Sequence, residues 1–396
     1  MTRTVIVRTS TQDIHLEVPI LLTLEEVLRT KHIPPNLFQG YIKNIYETKP
    51  IPLYICVKDI PPHSEIILQC IRNTDLQDVL PQKTFYKKTR NPVTAISTLN
   101  LGGKKCTQTV YELSSKQARE IVKNKILEFI KINSNAGLVV AGISGGGDSN
   151  TLAEGLKDYS IINNTEKKIL FFTLVFEPLW PQSAADRASE LCRRNGMEHQ
   201  IYGAKEIEKL LDMRRELSEC YHEFCEKFGN KTSHFFGTYL ISLVARKLCR
   251  KYETNEYILG FNREDVLAEM LFSIMNGQKP LAFPVRQFDE VRLLMPLWEV
   301  PKLVLDACYP KYSLSNYQER EDTATFQRNI IYYLAHGIED VYENLGLSLM
   351  LGIQKLFENN WAELKHDEDL DLYVSSYAKK PKTENIKSFF SKYFNI

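Results

Sequence analysis

Two hydrophobic periodicities alternate through the middle of this chain. Short apolar runs typical of strands lie at 137–143, 169–176 and 257–260. Around them, apolar residues recur at spacings of three and four, which is typical of amphipathic helices. The helical patterns cover about 115–132, 150–158, 183–195, 237–252 and 263–276. This alternation predicts an α/β domain over 114–310, with a parallel sheet covered by helices on both faces. In such sheets, ligands bind at the carboxyl ends of the strands.

Residues 1–75 show a separate pattern of four strand-like segments and one short helix. The strand-like segments lie at 4–8, 14–18, 53–57 and 65–70. Thr23 and Glu26 match a capping box, in which each side chain hydrogen-bonds the other residue's backbone, and the helix begins there. The order ββαββ predicts a small domain of its own.

The remaining segments are a predicted linker, a helical region and a tail. Residues 76–113 place basic side chains among Pro, Gly, Thr and Asn. These basic residues are Lys83, Lys87, Lys88, Arg90, Lys104 and Lys105. Two interpretations stay open: the lysines contact nucleic-acid phosphates, or the linker is simply solvated. Residues 311–378 show helical spacing, and 379–396 form a tail with a basic lead.

Composition limits the classes of protein to consider. The chain has 396 residues, a formal net charge of +1 and eight cysteines. A neutral balance gives no global basic field, so any nucleic-acid contact must come from local patches. The cysteines are too sparse for a disulfide scaffold. No signal peptide or long apolar segment is visible, so we expect a cytoplasmic protein without a membrane partner.

The stretch 141–149 concentrates glycine and hydroxyl residues between an apolar strand and a helix-like segment. Glycines let the backbone approach an anion, and the N–H groups of a helix N-terminus point toward it. We therefore predict a phosphate-binding loop with the candidate ligands Ser144, Gly145, Gly146, Gly147 and Ser149. Asp148 is a candidate Mg²⁺ ligand, because this cation prefers oxygen donors. The alternative is a tight turn of chance composition.

The string Ser-Gly-Gly-Gly-Asp-Ser at 144–149 resembles the Ser-Gly-Gly-x-Asp-Ser signature of the PP-loop ATP pyrophosphatases. The resemblance implies the PP-loop fold, with ATP and Mg²⁺ as cofactors. It also implies that ATP is split between its α and β phosphates and that AMP activates the substrate. The similarity extends over about 135–350.

A second motif at 257–270 resembles the Gly-His-His-x-Asp-Asp segment of tRNA-modifying PP-loop enzymes. Those enzymes are the tRNA 2-thiocytidine synthetases and the tRNA-Ile lysidine synthetases. Gly260 matches the pattern, whereas Phe261 and Asn262 replace the two histidines and Glu264 replaces the first aspartate. The missing histidines leave open a degenerate ATP-binding regulator.

The resemblance implies further site residues. Asp148 and Asp265 become candidates for catalysis and for binding the metal. The implied nucleotide-binding residues outside the loop are Gly260, Asn262 and Arg263, with Leu174, Val175 and Phe176 beside the adenine. Another interpretation of Asp265 stays open, since an acid in the first turn stabilises a helix through its macrodipole. Arg328 and Asn329 begin a segment similar to Arg-Asn-x-Ile-Arg of the lysidine synthetases, without its final arginine.

Cysteine placement bears on the chemistry. Thiolating relatives carry a Cys-x-x-Cys pair between the two motifs, whereas this chain has Cys220 and Cys225 with four residues between them. A second pair is absent near 312–315. A cubane cluster needs about three or four thiolates, so we predict no iron–sulfur cluster. Cys220 and Cys225 are candidate catalytic persulfide nucleophiles, or they are ordinary helix cysteines.

The two ends of the chain suggest protein partners. The order of elements in 1–75 resembles a β-grasp (ubiquitin-like) fold, which implies a domain that docks a protein partner or positions the substrate. Sulfur carriers of that family end in a free Gly-Gly, whereas Gly102 and Gly103 are internal. In the tail, Ile386, Phe389 and Phe390 resemble a peptide that docks on sliding clamps. The alternative is a terminal helix packed on its own domain.

Taken together, these patterns predict an adenylating enzyme that forms AMP and pyrophosphate. The favoured substrate is an RNA base, most of all in tRNA, that is modified by thiolation or amine transfer. Two alternatives stay open: an amide- or nitrile-forming ligase acting on a small carboxylate, and a degenerate ATP-binding regulator.

Overall fold

A computed structural model describes residues 1–8, 13–31, 33, 35, 38–70, 86–87, 94–100, 107–162, 168–177, 179–228, 233–319, 326–341, 345–367, 372–375 and 388–394. The chain forms two compact units. The smaller unit comprises Met1–Lys88, Ala95–Glu112 and Gly337–Leu345, and the larger unit comprises Thr89–Thr94, Leu113–His336 and Gly346–Ile396.

A five-stranded sheet and one helix form the N-terminal part of the smaller unit. The elements are β1 (Thr2–Arg8), β2 (Asp13–Pro19), α1 (Leu24–Thr30), β3 (Phe38–Lys43), β4 (Thr48–Ile51) and β5 (Glu65–Cys70). The strand order is β2-β1-β5-β3-β4, in which β1 and β5 are parallel. α1 begins at the predicted capping box of Thr23 and Glu26. Its apolar face, Leu24, Val27 and Leu28, is fully buried in the core of this unit.

Residues 53–57 do not form the predicted strand. They run past the start of α1 as a loop, where the carbonyls of Leu53 and Ile55 accept hydrogen bonds from the N–H groups of Glu25 and Leu24. The apolar run therefore reflects a loop that packs against the core. The edge strand beside β3 is instead β4. Its residues are mostly exposed, so they leave little hydrophobic signal in the sequence.

The segment interpreted above as a linker contains three strands. These are β6 (Tyr86–Lys87), β7 (Thr94–Asn100) and β8 (Thr107–Leu113), in the order β6-β8-β7. β-Branched Thr94, Ile96 and Thr98 occupy alternate positions of β7, a pattern that favours extended backbone. The surrounding lysines and glycines obscure this pattern in the sequence.

A six-stranded sheet forms the centre of the larger unit. Its strands are β9 (Leu138–Gly142), β10 (Lys168–Leu174), β11 (His199–Tyr202), β12 (Glu256–Ile258), β13 (Val285–Phe288) and β14 (Val291–Leu294). The order is β11-β10-β9-β12-β14-β13, with every neighbouring pair parallel except β13 and β14. From β9 the chain continues to β10, which pairs with one edge of β9, while β12 pairs with its other edge. β9 is therefore the switch point beside which open α/β sheets bind their ligands.

Eleven helices are described in the chain beyond residue 113. They are α2 (Ser115–Asn133), α3 (Gly147–Ile162), α4 (Gln182–Asn195), α5 (Ala204–Leu210), α6 (Leu217–Phe228), α7 (Ser233–Lys251), α8 (Arg263–Met275), α9 (Lys302–Cys308), α10 (Pro310–Glu319), α11 (Phe326–Val341) and α12 (Leu345–Phe357). The predicted helical patterns correspond to α2, α3, α4, α7 and α8. Within the described ranges, no helix combines the length and the apolarity needed to cross a membrane.

The sequence predicted a purely helical C-terminal region, but the structure also contains two strands there. After α12, β15 (Leu364–Asp367) and β16 (Leu372–Ser375) pair as an antiparallel hairpin. Such four-residue strands are too short to show a clear period-2 pattern.

The end of the chain packs on its own unit. Phe389 and Phe390 are buried, and both rings lie against Phe224 of α6. The carbonyl of Tyr393 accepts a hydrogen bond from the N–H of Arg214 at 2.7 Å. The sliding-clamp interpretation therefore gains no support, because the two aromatic anchors are already part of the core. Ile386 lies outside the described residues.

Candidate functional site

The glycine-rich loop closes on itself between β9 and α3. The N–H of Ser144 donates to Ser149 Oγ at 2.9 Å, and the two serine hydroxyls lie 3.0 Å apart. Gly145 has a φ of 71°, in the left-handed region that glycine enters without steric cost. The loop therefore has a fixed, tight geometry immediately before the N-terminus of α3, where backbone N–H groups favour an anion.

Each of the three loop glycines lies against another helix. A Cβ at Gly145 would lie 2.1 Å from the carbonyl oxygen of Ala184 in α4, and one at Gly147 would lie 2.1 Å from Ser313 Oγ in α10. A Cβ at Gly146 would meet the amide group of Asn316 at 3.3 Å. Gly145 is therefore required by helix packing, because its near neighbour is backbone, whereas the nearest neighbours of Gly146 and Gly147 are side chains.

Asp148 lies in the first turn of α3 and connects the glycine loop to two other segments. Its Oδ1 accepts a hydrogen bond from Lys302 Nζ at 2.6 Å, and its Oδ2 accepts one from Asn262 Nδ2 at 3.4 Å. Burial raises the pKa of Asp148, and the charge of Lys302 opposes that rise, while Asp265 and Asp306 add to it. The negative charge of Asp148 is thus supported mainly by Lys302.

Asp265 caps the helix in which it lies. Asn262 is the N-cap of α8: its Oδ1 accepts from the N–H of Asp265 at 2.9 Å, and Asp265 Oδ2 accepts from the N–H of Asn262 at 3.1 Å. The other oxygen, Oδ1, accepts from the Tyr332 hydroxyl of α11 at 2.9 Å. Both oxygens therefore already accept hydrogen bonds from the protein, and Asn262 links this carboxylate to Asp148.

Lys302 is a site residue that sequence reasoning missed. It begins α9, where its N–H donates to Glu264 Oε2 at 2.8 Å and its ammonium group also lies 3.1 Å from Asp306. A lysine in the first turn faces the positive end of the helix macrodipole, which is unfavourable unless an anion compensates. That misplaced charge, directly after the N-cap residue Pro301, is the signal that could have identified it.

Gly260 and Arg263 lie beside Asp148 in the fold but have structural partners. The buried Arg263 guanidinium donates through Nε to the carbonyl of Glu299 at 3.0 Å. A Cβ at Gly260 would meet Leu152 at 3.6 Å and Leu297 at 3.8 Å, which is ordinary contact. In the structure, Arg263 thus fixes the loop before α9.

The predicted adenine segment lies at the end of β10, next to the glycine loop's strand. Leu174 and Phe176 are buried and Val175 is half-buried. The N–H groups of Val175 and Phe176 donate to the carbonyls of Tyr202 and Trp180, at 2.8 and 3.0 Å. Reading adenine through these two N–H groups would require breaking those bonds.

Cys220 and Cys225 lie on α6, away from the hydrogen bonds that join Asp148, Lys302 and Asn262. Cys220 is fully buried, and burial raises its pKa far above the ordinary range of a thiol. Burial also raises the pKa of Cys225, although a hydrogen bond from Tyr221 opposes the rise. Since the thiolate is the nucleophile, neither environment activates sulfur.

Tyr332 offers a direct test of how Asp265 is held. We expect Tyr332→Phe to lower the free energy of unfolding by about 1.5–3 kcal/mol, because it removes one hydrogen bond to a charged carboxylate. Urea denaturation measures this difference. The matched control is Tyr333→Phe, whose ring is 78% exposed and should show almost no change. Equal effects of the two substitutions would show that the Tyr332 hydroxyl does not hold Asp265.

Comparison with known proteins adds information on the fold. No protein-family model and no curated protein matches the sequence. Among solved structures, the U34-tRNA thiolase NcsA from Methanococcus maripaludis is similar with a TM-score of 0.50 and 17% identity. The match covers 65% of this chain and 85% of the thiolase. The matched part of the chain therefore shares its fold with this thiolase.

Two NAD synthetases also match, with scores too low to support an argument. The NH3-dependent enzyme from Campylobacter jejuni has 17% identity and a TM-score of 0.35, covering 64% of this chain and 99% of its own. The enzyme from Burkholderia pseudomallei has 11% identity and a TM-score of 0.33, covering 62% and 90%. The likeness of fold thus rests on the thiolase.

The comparison contradicts the predicted absence of an iron–sulfur cluster. The PP-loop thiolase is described with its [4Fe-4S] cluster. The prediction relied on the spacing of Cys220 and Cys225, but spacing along a chain does not determine which thiols meet in space. Among the residues that the structure describes, no group of three or more His, Cys, Asp or Glu side chains is arranged to hold a metal. Cysteine spacing therefore does not decide whether the protein binds an iron–sulfur cluster.

Proposed function

We propose that this protein is an ATP-using enzyme of the PP-loop type that adenylates a base in tRNA. The observation that carries the proposal is the Asp148–Lys302 pair, which lies beside the glycine loop at the switch point of a PP-loop sheet. Support for tRNA as the acceptor comes from NcsA, a U34-tRNA thiolase with the same fold.

The residues around the loop fit a bound triphosphate. The loop backbone and the N-terminus of α3 would hold phosphate oxygens, with Ser144 and Ser149 as hydroxyl donors. Lys302 supplies a cation 2.6 Å from Asp148, within reach of charge that develops on the phosphates. The role of these groups is electrostatic, because they stabilise charge as the bond between the α and β phosphates breaks.

Asp148 is the proposed Mg²⁺ ligand. Protein sites often bind this ion through one or two carboxylates together with substrate phosphates, so a cluster of three protein ligands is not required. Mg²⁺ at this position would neutralise phosphate charge. Asp265, whose two oxygens already accept hydrogen bonds from Asn262 and Tyr332, serves to position Asn262 against Asp148.

The N-terminal sheet of the smaller unit supports the β-grasp interpretation. Its order β2-β1-β5-β3-β4, with α1 after the first hairpin, is the arrangement of ubiquitin-like domains. We propose that this sheet docks a partner protein or positions the substrate, independently of the phosphate loop.

Dependence on tRNA tests the proposed acceptor. In the presence of sulfide or ammonium, we expect tRNA from cells of the source organism that lack the protein to stimulate AMP formation from ATP. The base oxygen takes AMP from ATP and releases pyrophosphate, and the sulfur or nitrogen nucleophile then displaces AMP. tRNA digested to nucleosides should not stimulate it. Asp148→Asn should reduce stimulated turnover roughly 100-fold or more, which is the scale of losing one preorganised electrostatic group. Chromatography of labelled nucleotides provides the measurement.

The control is Asp158→Asn, on the same helix but paired with Lys123 at the surface. It should retain near-normal turnover. If the nucleosides alone stimulate AMP formation, or if intact tRNA does not, tRNA is not the acceptor. The ATP-using site would then act on a different substrate.

A further inference from the structure

We propose that Ser313, together with Asn316 one turn later, binds the phosphate groups of the nucleotide, so that α10 forms a second wall of the phosphate site. This inference rests on the proposed function, because it assumes that the glycine loop holds a nucleotide. Neither residue belongs to the motifs that the sequence analysis identified.

Two side chains of α10 face the glycine loop from one side of the helix. Ser313 Oγ would lie 2.1 Å from a Cβ at Gly147, the first residue of α3. The amide atoms of Asn316 would lie 3.3–3.5 Å from a Cβ at Gly146. Because the two residues are three positions apart, they share one face of α10. A hydroxyl and an amide therefore lie directly against the backbone that forms the anion site.

The Ser313 hydroxyl has an unusual environment. The residue is 4% exposed, and Oγ has no hydrogen-bond partner among the described residues. Leaving a buried hydroxyl unpaired is unfavourable, so most buried polar side chains are hydrogen-bonded. A ligand that accepts a hydrogen bond at this position would remove that cost.

A phosphate oxygen is the acceptor that this place in the fold favours. The hydroxyl lies at the N-terminus of α3, where the macrodipole and the free N–H groups attract negative charge. Lys302 donates a hydrogen bond to Asp148 and so adds a cation at the first turn of α3. Packing alone would be served by alanine at position 313, since alanine would leave no buried oxygen without a hydrogen-bond partner. The hydroxyl is therefore explained by binding rather than by packing.

The test is calorimetric titration of Ser313→Ala with ATP, adenosine and inorganic pyrophosphate. Hydrogen bonds to charged groups are strong, so we expect ATP and pyrophosphate to bind roughly 10-fold more weakly. Adenosine affinity should change little, because adenosine carries no phosphate. The matched control is Ser315→Ala on the same helix, which should bind all three like the unaltered chain. A thermal melt of each variant verifies that it is folded.

The outcomes separate this inference from the proposed function. If the unaltered chain binds neither ATP nor pyrophosphate, the proposed function and this inference fall together. If it binds both and folded Ser313→Ala binds them equally well, the inference alone is overturned. An equal loss for adenosine and for pyrophosphate would also overturn it, since that pattern indicates a shifted helix rather than a lost phosphate contact.

Discussion

Replacing Lys302 by methionine is expected to reduce ATP turnover by roughly 100- to 1,000-fold, the range seen when one preorganised charge-stabilising donor is removed. Methionine keeps most of the side-chain length and removes the ammonium group that lies 2.6 Å from Asp148. Turnover is measured as labelled AMP released at saturating ATP, Mg²⁺ and tRNA, with sulfide or ammonium present.

Removing Lys302 also changes the pH dependence. Burial already raises the pKa of Asp148, and Lys302 is the main group that opposes this rise. Without it, the pKa of Asp148 should rise further, so the carboxylate becomes ionised only at higher pH. The acidic limb of any residual activity should therefore move to higher pH in Lys302→Met.

The matched control for this substitution is Lys125→Met. Lys125 is also ion-paired, with Glu299 at 2.6 Å, but its side chain is more exposed and does not touch Asp148. It should retain most of the turnover and the normal pH profile. Similar losses for Lys125→Met and Lys302→Met would indicate a general effect of removing an ion pair and would contradict a specific role for Lys302.

Replacing Phe389 by alanine is expected to destabilise the larger unit by about 3–5 kcal/mol, the cost of emptying a phenylalanine site in a core. Phe389 is fully buried, with ring centroids 5.5 Å from Phe224 and 5.6 Å from Phe228. Removing its ring therefore leaves a cavity between α6 and the end of the chain. Urea denaturation followed by tryptophan fluorescence measures the change.

The surface control is Leu356→Ala, at a side chain that is 78% exposed. Its effect should stay within about 0.5 kcal/mol. If Phe389→Ala is as stable as this control, the tail is not part of the core and a docking role becomes the better account of its aromatic residues.

Long, strongly periodic segments of the larger unit could be predicted from the sequence. The pattern over 115–132 matches α2 almost residue for residue, because a buried stripe repeats at the helical period through Val122, Ile126 and Ile130. The apolar run at 137–143 matches β9 because this central strand is covered on both faces. In these elements, local pattern and tertiary burial agree.

Other parts could not be predicted because their partners are remote or their pattern is weak. Residues 53–57 are apolar because they form a loop that packs on the core, so their hydrophobicity wrongly indicated a strand. β4 is mostly exposed, so its sequence showed no sign of the strand that is there. Lys302 lies 154 positions from Asp148, and only the sheet order brings them together. Tyr332, at the position where the lysidine synthetase segment ends in arginine, reaches Asp265 across 67 positions.

The central claim is that this site splits ATP between its α and β phosphates. The most direct measurement is the product of ATP labelled at the α phosphate, incubated with the purified protein, Mg²⁺, tRNA and sulfide or ammonium as the nucleophile that displaces AMP. The account predicts labelled AMP and a matching amount of pyrophosphate, both lost in Asp148→Asn. Labelled ADP with orthophosphate would contradict it, because the bond broken would then be the one between the β and γ phosphates.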